Sequence, residues 1–197
     1  SATVGVSQAT ADFARRVYGT KSSVIPNAVP IRKFLVSSLE SRDGSQKKRI
    51  VFLGRFVERK GPVYLIRALA RVQELGVDLD GFEVVMGGKG PDLLKCIELA
   101  KNLGLDKVTT FPGFIDENDK AKLLASADIT VFPSTGGEAF GISVVEAMAS
   151  GASIVLGSNN PGYASILGKK RELLFNPKNI EQFALKLAHF MTITSSE

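Results

Sequence analysis

The chain has 197 residues, 44% hydrophobic and 23% charged, which excludes disorder as its main state and is enough for one domain with a full core. Its 25 Lys+Arg against 20 Asp+Glu give a net charge of +5, suited to an anionic ligand or an anionic membrane surface without choosing between them. One cysteine, Cys96, excludes an internal disulfide, and with His189 as the sole histidine no Cys/His set can hold a metal. No apolar run approaches the ~20 residues of a membrane span and the first ten residues lack the regions of a signal peptide. With its single cysteine, the chain fits a cytoplasmic location best.

In chain order, residues 3–6 read as a strand and 10–18 as a helix entered through Ser7 or Thr10 as its cap. Residues 24–30 are extended and punctuated by Pro26 and Pro30. Residues 37–46 are polar and without period, a surface loop, and the basic cluster that follows at Lys47, Lys48 and Arg49 reads as a solvated face. From there the pattern alternates. Strands are predicted at 50–53, 82–86, 108–111, 129–132 and 153–156. Helices with apolar residues at i, i+3 and i+4 are predicted at 63–75, 92–103, 119–125 and 141–149. Strand–helix alternation with continuously apolar strands implies an α/β fold, a doubly wound parallel sheet buried on both faces. Such sheets bind ligands beyond the carboxyl ends of their strands, so function is expected in the loops after Leu53, Met86, Phe111, Phe132 and Leu156. Cys96 sits in a helical pattern as a buried small hydrophobe. His189 lies beside Phe190 in the final helix and reads as a surface or core-edge histidine.

Three of those loops carry candidate chemistry. After the strand at 50–53 come Gly54, Arg55, Arg59, Lys60 and Gly61, a glycine-led turn with cations beside a helix start. Taken alone, this loop suits a metal-free diphosphate site and a basic turn with Glu58 paired locally equally well. The Gly87-Gly88-Lys89-Gly90 loop resembles a dinucleotide fingerprint only in part. Leu93 stands where the third glycine belongs, and the loop follows the second strand of the domain rather than the first. It reads as a tight turn ahead of Pro91 and Asp92, with Lys89 a weaker phosphate candidate.

The third loop says most. Gly136, Gly137 and Gly141 thin the backbone where a helix follows a strand, Glu138 precedes the first turn, and Glu146 lies one turn beyond Ile142 on the same face. Two carboxylates spaced along one side of a ligand can accept hydrogen bonds from vicinal hydroxyls of a sugar or ribose. The N–H groups of Ala139, Phe140, Gly141 and Ile142 add donors for anionic oxygens. The alternative gives Glu138 a capping role and Glu146 a solvent ion pair.

These segments together resemble glycosyltransferase family 4, whose members have the two-domain GT-B fold. Gly54-Arg55 followed by Lys60-Gly61 is similar to the family's Gly-Arg…Lys-Gly loop, and Glu138 and Glu146 to its paired glutamates. Ile25-Pro26-Asn27-Ala28-Val29 resembles the hinge into its C-terminal domain. The resemblance implies that residues 1 to 27 are a remnant of an N-terminal domain with the hinge, and that 28–197 are the nucleotide-sugar-binding domain. It implies that Arg55 and Lys60 hold the diphosphate in place of a metal, that Glu138 contacts the donor sugar, and that Glu146 binds the ribose. The base would rest by Phe114, Ile115 and Asp116, with Arg59 and Lys120 as secondary contacts to phosphate or base. It also implies a retaining transfer in which the diphosphate acts as base.

Residues 135–142 are most similar to the version found in mannosyltransferases acting on phosphatidylinositol. That points to GDP-mannose, a lipid or glycan acceptor held by the other domain, peripheral membrane contact, no metal cofactor and no nucleic acid. The fragment alone is expected to be inactive. Three features depart from the family: Ala28 replaces a usual hinge glycine, Pro30 a usual acidic residue, and Asn159-Asn160-Pro161-Gly162-Tyr163 a usual Gly-Gly segment. Two other readings share the fold, a non-catalytic nucleotide-sugar-binding module and a sugar-nucleotide epimerase. The first should lack one of Arg55, Lys60, Glu138 and Glu146, and all four are present. The second needs more acid–base groups than Glu138 alone.

Overall fold

A computed structural model describes residues 2–38 and 47–195. Eight helices and eight strands alternate along the described chain. The first strands, β1 (Val4–Gly5) and β2 (Ser23–Val24), flank helix α1 (Gln8–Tyr18) and pair only with each other, in parallel. Ser7 caps α1 in a reciprocal box with Thr10, so both candidate cap residues take part.

The main sheet has six parallel strands: β3 (Lys48–Leu53), β4 (Phe82–Gly87), β5 (Thr109–Gly113), β6 (Ile129–Phe132), β7 (Ile154–Ser158) and β8 (Leu174–Phe175). Their spatial order is β5-β4-β3-β6-β7-β8. The doubly wound sheet expected from the alternation is therefore present, and the strand order reverses between β3 and β6. At such a reversal the connections leave to opposite faces and open a crevice above the strand ends. The loops after β3 and β6 border it.

Period-two alternation divides the strand residues between two apolar layers. Ile50, Phe52, Val84, Met86, Ile129, Val131 and Leu156 face one layer, with α3 (Pro62–Glu74), α4 (Leu93–Asn102) and α8 (Ile180–Ser195). Val51, Val85, Phe132 and Val155 face the other, with α5 (Glu117–Ala125), α6 (Ile142–Ala149) and α7 (Pro161–Leu167). Fully burying one such side chain is worth about 1.5–3 kcal/mol, and both faces contribute.

One expectation fails. The aperiodic loop at 37–46 begins too early, because Ser37 and Ser38 end a helix, α2 (Ile31–Ser38); the rest of that loop lies outside the described residues. Phe34, 1% exposed, anchors α2 in the second apolar layer, which Val29 also packs against. Among residues 31–35 Phe34 alone is buried, which leaves too little periodicity to detect. The seven-residue α7 and the two-residue β8 are too short to show a period.

Candidate functional site

The loop after β3 turns through a single 3-10 turn at Glu58–Lys60 and enters α3 at Gly61, whose φ of 71° is left-handed. A Cβ at Gly61 would sit 2.1 Å from the Pro133 carbonyl oxygen, so glycine lets the loops after β3 and β6 touch backbone to backbone. There the Thr135 N–H donates to the Arg59 carbonyl at 2.9 Å, and the Ser134 hydroxyl oxygen lies 3.0 Å from the same carbonyl. The crevice is thus floored by two loops joined through Arg59.

Its charged side chains converge on one atom. Glu138 Oε1 accepts from Arg59 Nη1 at 2.7 Å, Lys60 Nζ at 2.8 Å and Ser134 Oγ at 2.8 Å. Arg59 Nη1 also reaches the carbonyls of Gly136 (3.1 Å) and Gly137 (3.3 Å), pinning the glycines ahead of the glutamate. The Glu138 side chain is 11% exposed. Burial alone pushes its pKa up, but the hydrogen bond and charge of Lys60, with Ser134 and Arg59, outweigh that and hold it below the ordinary glutamate range. Glu138 is an anion at neutral pH, and it is not a cap.

Helix α6 starts at Gly141 (φ 103°) with no side-chain cap on its first N–H groups. Among the described residues, the N–H groups of Ala139, Phe140 and Ile142 meet no backbone acceptor. Further along, Glu146 Oε1 accepts from Lys120 Nζ of α5 at 2.7 Å, and Lys120 also bonds Glu117 at 2.9 Å. Burial lowers the Lys120 pKa, yet these two carboxylates outweigh it and raise it overall. The two glutamates therefore face different partners: Glu138 looks across to the β3 loop, Glu146 to α5.

Of the sequence candidates, Lys60, Arg59 and Glu138 come together in one cluster, and Lys120 and Glu146 in a second. Arg55 stands on the same loop as Lys60 but is exposed, with no side-chain partner among the described residues. Gly54 lies against the glycine-rich turn, where a Cβ at Gly88 would be 1.8 Å from the Gly54 carbonyl oxygen. Phe56 N–H donates to the Lys89 carbonyl, and Asp92 N–H to the Phe56 carbonyl. Those glycines serve loop-on-loop packing, which answers the fingerprint resemblance. Lys89 itself lies over the exposed Phe114 ring, 5.2 Å from its centroid. Ile115 is half-buried over the end of β4, where a Cβ at Gly87 would meet it at 2.8 Å. Phe140 is half-buried, and Ala139 and Ile142 are exposed at the α6 entrance. Cys96 is buried, and burial pushes its thiol up to about 11. His189 is exposed on α8 against Phe190.

Sequence reasoning missed the layer beneath. Asn160 Nδ2 donates to Ser158 Oγ at 2.8 Å, and Ser158 Oγ donates to the Ser134 carbonyl. Asn160 Oδ1 caps α7 by accepting from the Tyr163 N–H at 3.0 Å. The Tyr163 ring fills the space under Gly141, whose Cβ would be 2.6 Å away, and a Cβ at Gly162 would strike the Glu138 carbonyl at 2.2 Å. Burial, then the Glu138 charge, raise the Tyr163 phenol well above its ordinary range. The segment that departs from the family pattern thus supports the glycine-rich loop after β6. Ser7 adds to it by donating from its hydroxyl to the Ala139 carbonyl. The signal for Asn160 was available in the Asn-Pro pair ahead of a helix. Nothing local marked Ser134 or Tyr163.

Among the described residues no group of three or more His, Cys, Asp or Glu could hold a metal, and no helix is long and apolar enough to cross a membrane. Residues 39–196 match the family model for glycosyl transferases group 1. The phosphatidyl-myo-inositol mannosyltransferase of Mycobacterium tuberculosis is 36% identical over 154 residues, covering 75% of this chain and 39% of the relative. The Mycolicibacterium smegmatis enzyme of the same name is 35% identical over 153 residues, 75% of this chain and 38% of the relative. The chain therefore spans well under half the length of these relatives. Among solved structures, Anabaena HepE in complex with UDP and glucose superposes with a TM-score of 0.82 at 21% identity, over 99% of this chain and 54% of that one. A Rickettsia africae glycosyltransferase superposes equally well (TM-score 0.82) at 24% identity, over 98% and 54%. The fold is that of GT-B glycosyltransferases, and the chain belongs to the glycosyl transferases group 1 family.

Proposed function

We propose that this chain is the donor-binding half of a retaining hexosyltransferase that takes mannose from GDP-mannose and passes it to a phosphatidylinositol-type lipid or a glycan held by a second domain. One observation carries the reading. Two cations, Arg59 and Lys60, meet the Glu138 carboxylate at an uncapped helix start, in the crevice where the strand order reverses. Cations and open N–H groups suit a diphosphate, and the carboxylate beside them suits the hydroxyls of the sugar it carries. The curated relatives named above support mannose and an inositol lipid, and the Anabaena complexes support a nucleotide-sugar partner.

In this reading the bond between the anomeric carbon and the diphosphate oxygen breaks first. Lys60, with the free Arg55 swinging in, takes the charge that develops on the leaving oxygen, in the position a metal fills elsewhere. The acceptor hydroxyl attacks the same face of the sugar, and its proton passes to the departing diphosphate. Glu138 holds hydroxyls near the anomeric centre, and Glu146 releases Lys120 to accept from the ribose. The acceptor wall belongs to the longer protein, near the membrane on its cytoplasmic side.

Calorimetric titration of the chain with GDP-mannose, UDP-glucose and ADP-glucose tests this directly. GDP-mannose is expected to bind tightest. Equal or absent binding of all three sinks the donor assignment.

A further inference from the structure

Before any ligand arrives, two of the cations proposed to receive the diphosphate, Lys60 and Arg59, are already taken. Lys60 and Arg59 both spend a short hydrogen bond on Glu138 Oε1, within a pocket where the carboxylate is 11% and Lys60 18% exposed. We infer that Glu138 is a built-in counter-anion that sets the selectivity of this site between a sugar-bearing donor and a bare nucleoside diphosphate. The inference rests on reading Lys60 as a phosphate ligand.

The two ligands meet different balances. A sugar-bearing donor draws Lys60 and Arg59 to its phosphates but returns hydroxyl donors to Glu138, so each charge ends with partners. A bare diphosphate draws off the same cations and returns nothing. Glu138 is then left with Ser134 alone, little exposed to water and close to a second anion. Buried charge without a partner is disfavoured, and like charges in a partly dry pocket repel. Selectivity thus comes from a repulsive element aimed at the wrong ligand as well as from attraction to the right one. After sugar transfer the same element favours recapture of the cations by Glu138 and departure of the diphosphate. The pinned backbone makes the exchange local: Arg59 and Thr135 stay joined through main-chain groups whichever anion the side chains hold.

The test is a calorimetric titration of the chain, parent and Glu138→Gln, with GDP, inorganic pyrophosphate and GDP-mannose. Glutamine keeps an oxygen for Lys60 and Ser134 and removes only the charge. Glu138→Gln should bind GDP and pyrophosphate about tenfold tighter than the parent, the change expected when roughly one pKa unit of charge coupling is removed. It should bind GDP-mannose no tighter, so the preference for the sugar-bearing ligand collapses. Glu138→Ala is the second charge-removing variant, and Glu138→Asp, which keeps the charge, should stay within a few-fold of the parent for GDP. Parent-like or weaker GDP and pyrophosphate binding by Glu138→Gln and Glu138→Ala, with melting curves intact, overturns the inference. Lys60→Gln separates this failure from that of the underlying reading. If Lys60→Gln binds GDP as well as the parent does, Lys60 is no phosphate ligand and the donor-site reading falls with the inference. If Lys60→Gln loses GDP while the Glu138 variants leave it unchanged, only the counter-anion role is wrong.

Discussion

Asn160 offers a sharp test of how the site is supported, because its one amide makes two separable bonds. The side chain is 7% exposed. Its oxygen caps α7 through the Tyr163 N–H, and its nitrogen donates to Ser158, which in turn donates to the Ser134 carbonyl. Asn160→Ala removes the cap, worth about 1 kcal/mol. It also removes a buried bond accepted by Ser158, worth about 1–2 kcal/mol once the hydroxyl is left short of a partner. The sum is roughly 2–3 kcal/mol, and at about 2–4 °C per kcal/mol for a domain of this size the melting temperature should fall by about 4–12 °C. Ser158→Ala keeps the Asn160 cap and removes the hydroxyl bonds beneath it, leaving the amide nitrogen 3.5 Å from the Ser134 carbonyl. It should lose only about 1 kcal/mol. Urea and thermal unfolding followed by circular dichroism at neutral pH measure both variants. A loss under about 0.5 kcal/mol for Asn160→Ala, or equal losses for the two, refutes the division of labour argued here.

Three further outcomes follow from the same geometry. Glu146→Gln should weaken GDP-mannose binding by about 1.5–3 kcal/mol with a smaller effect on turnover of the full-length protein, because the ribose contact proposed for it would be made equally in ground and transition states; unchanged donor affinity would put Glu146 outside the site. Gly88→Ala should destabilise by more than about 2 kcal/mol, since its Cβ would lie 1.8 Å from the Gly54 carbonyl oxygen at a φ of 140° and the two loops would have to part; parent-like urea unfolding would contradict it. The full-length enzyme should transfer sugar in excess chelator because Lys60 and Arg55 supply the positive charge, and activity lost to EDTA and restored by magnesium or manganese would refute that.

The fold was legible where burial imposes a period. Five core strands, β3 to β7, and the helices α3 to α6 were placed within a few residues because both faces of the sheet are apolar and the crossovers are amphipathic. The switch point was not legible, since strand order is a property of the sheet and not of any segment. Within the site, residue types and glycine spacing marked Lys60, Glu138 and Glu146 without revealing who pairs with whom. Arg59 is the instructive case. It read as a secondary phosphate contact, yet its guanidinium and its carbonyl both bind the loop after β6, 75 or more residues away in sequence. A contact at that separation leaves no trace in local pattern. The Asn159–Tyr163 departure was visible but unreadable for a similar reason, because its role is to hold a loop on the neighbouring strand.

Both glutamates of the site are stored beside a cation, Glu138 with Lys60 and Arg59, Glu146 with Lys120. A carboxylate left alone at such low exposure would be driven toward its neutral form, and a neutral acid is a poorer acceptor for sugar hydroxyls. At Glu138 the cations therefore hold the carboxylate in its charged form, and in the proposed reading donor binding would be an exchange of partners instead of a fresh burial of charge. That arrangement requires the exchange to be confined to side-chain ends. The backbone meets the requirement: glycines at Gly61, Gly88 and Gly162 bring the loops into direct main-chain contact, and Asn160, Ser158 and Tyr163 brace them from below. Lys60 can then leave Glu138 without the loop that carries Glu138 moving with it. The rigid frame fixes where each charge must find its next partner.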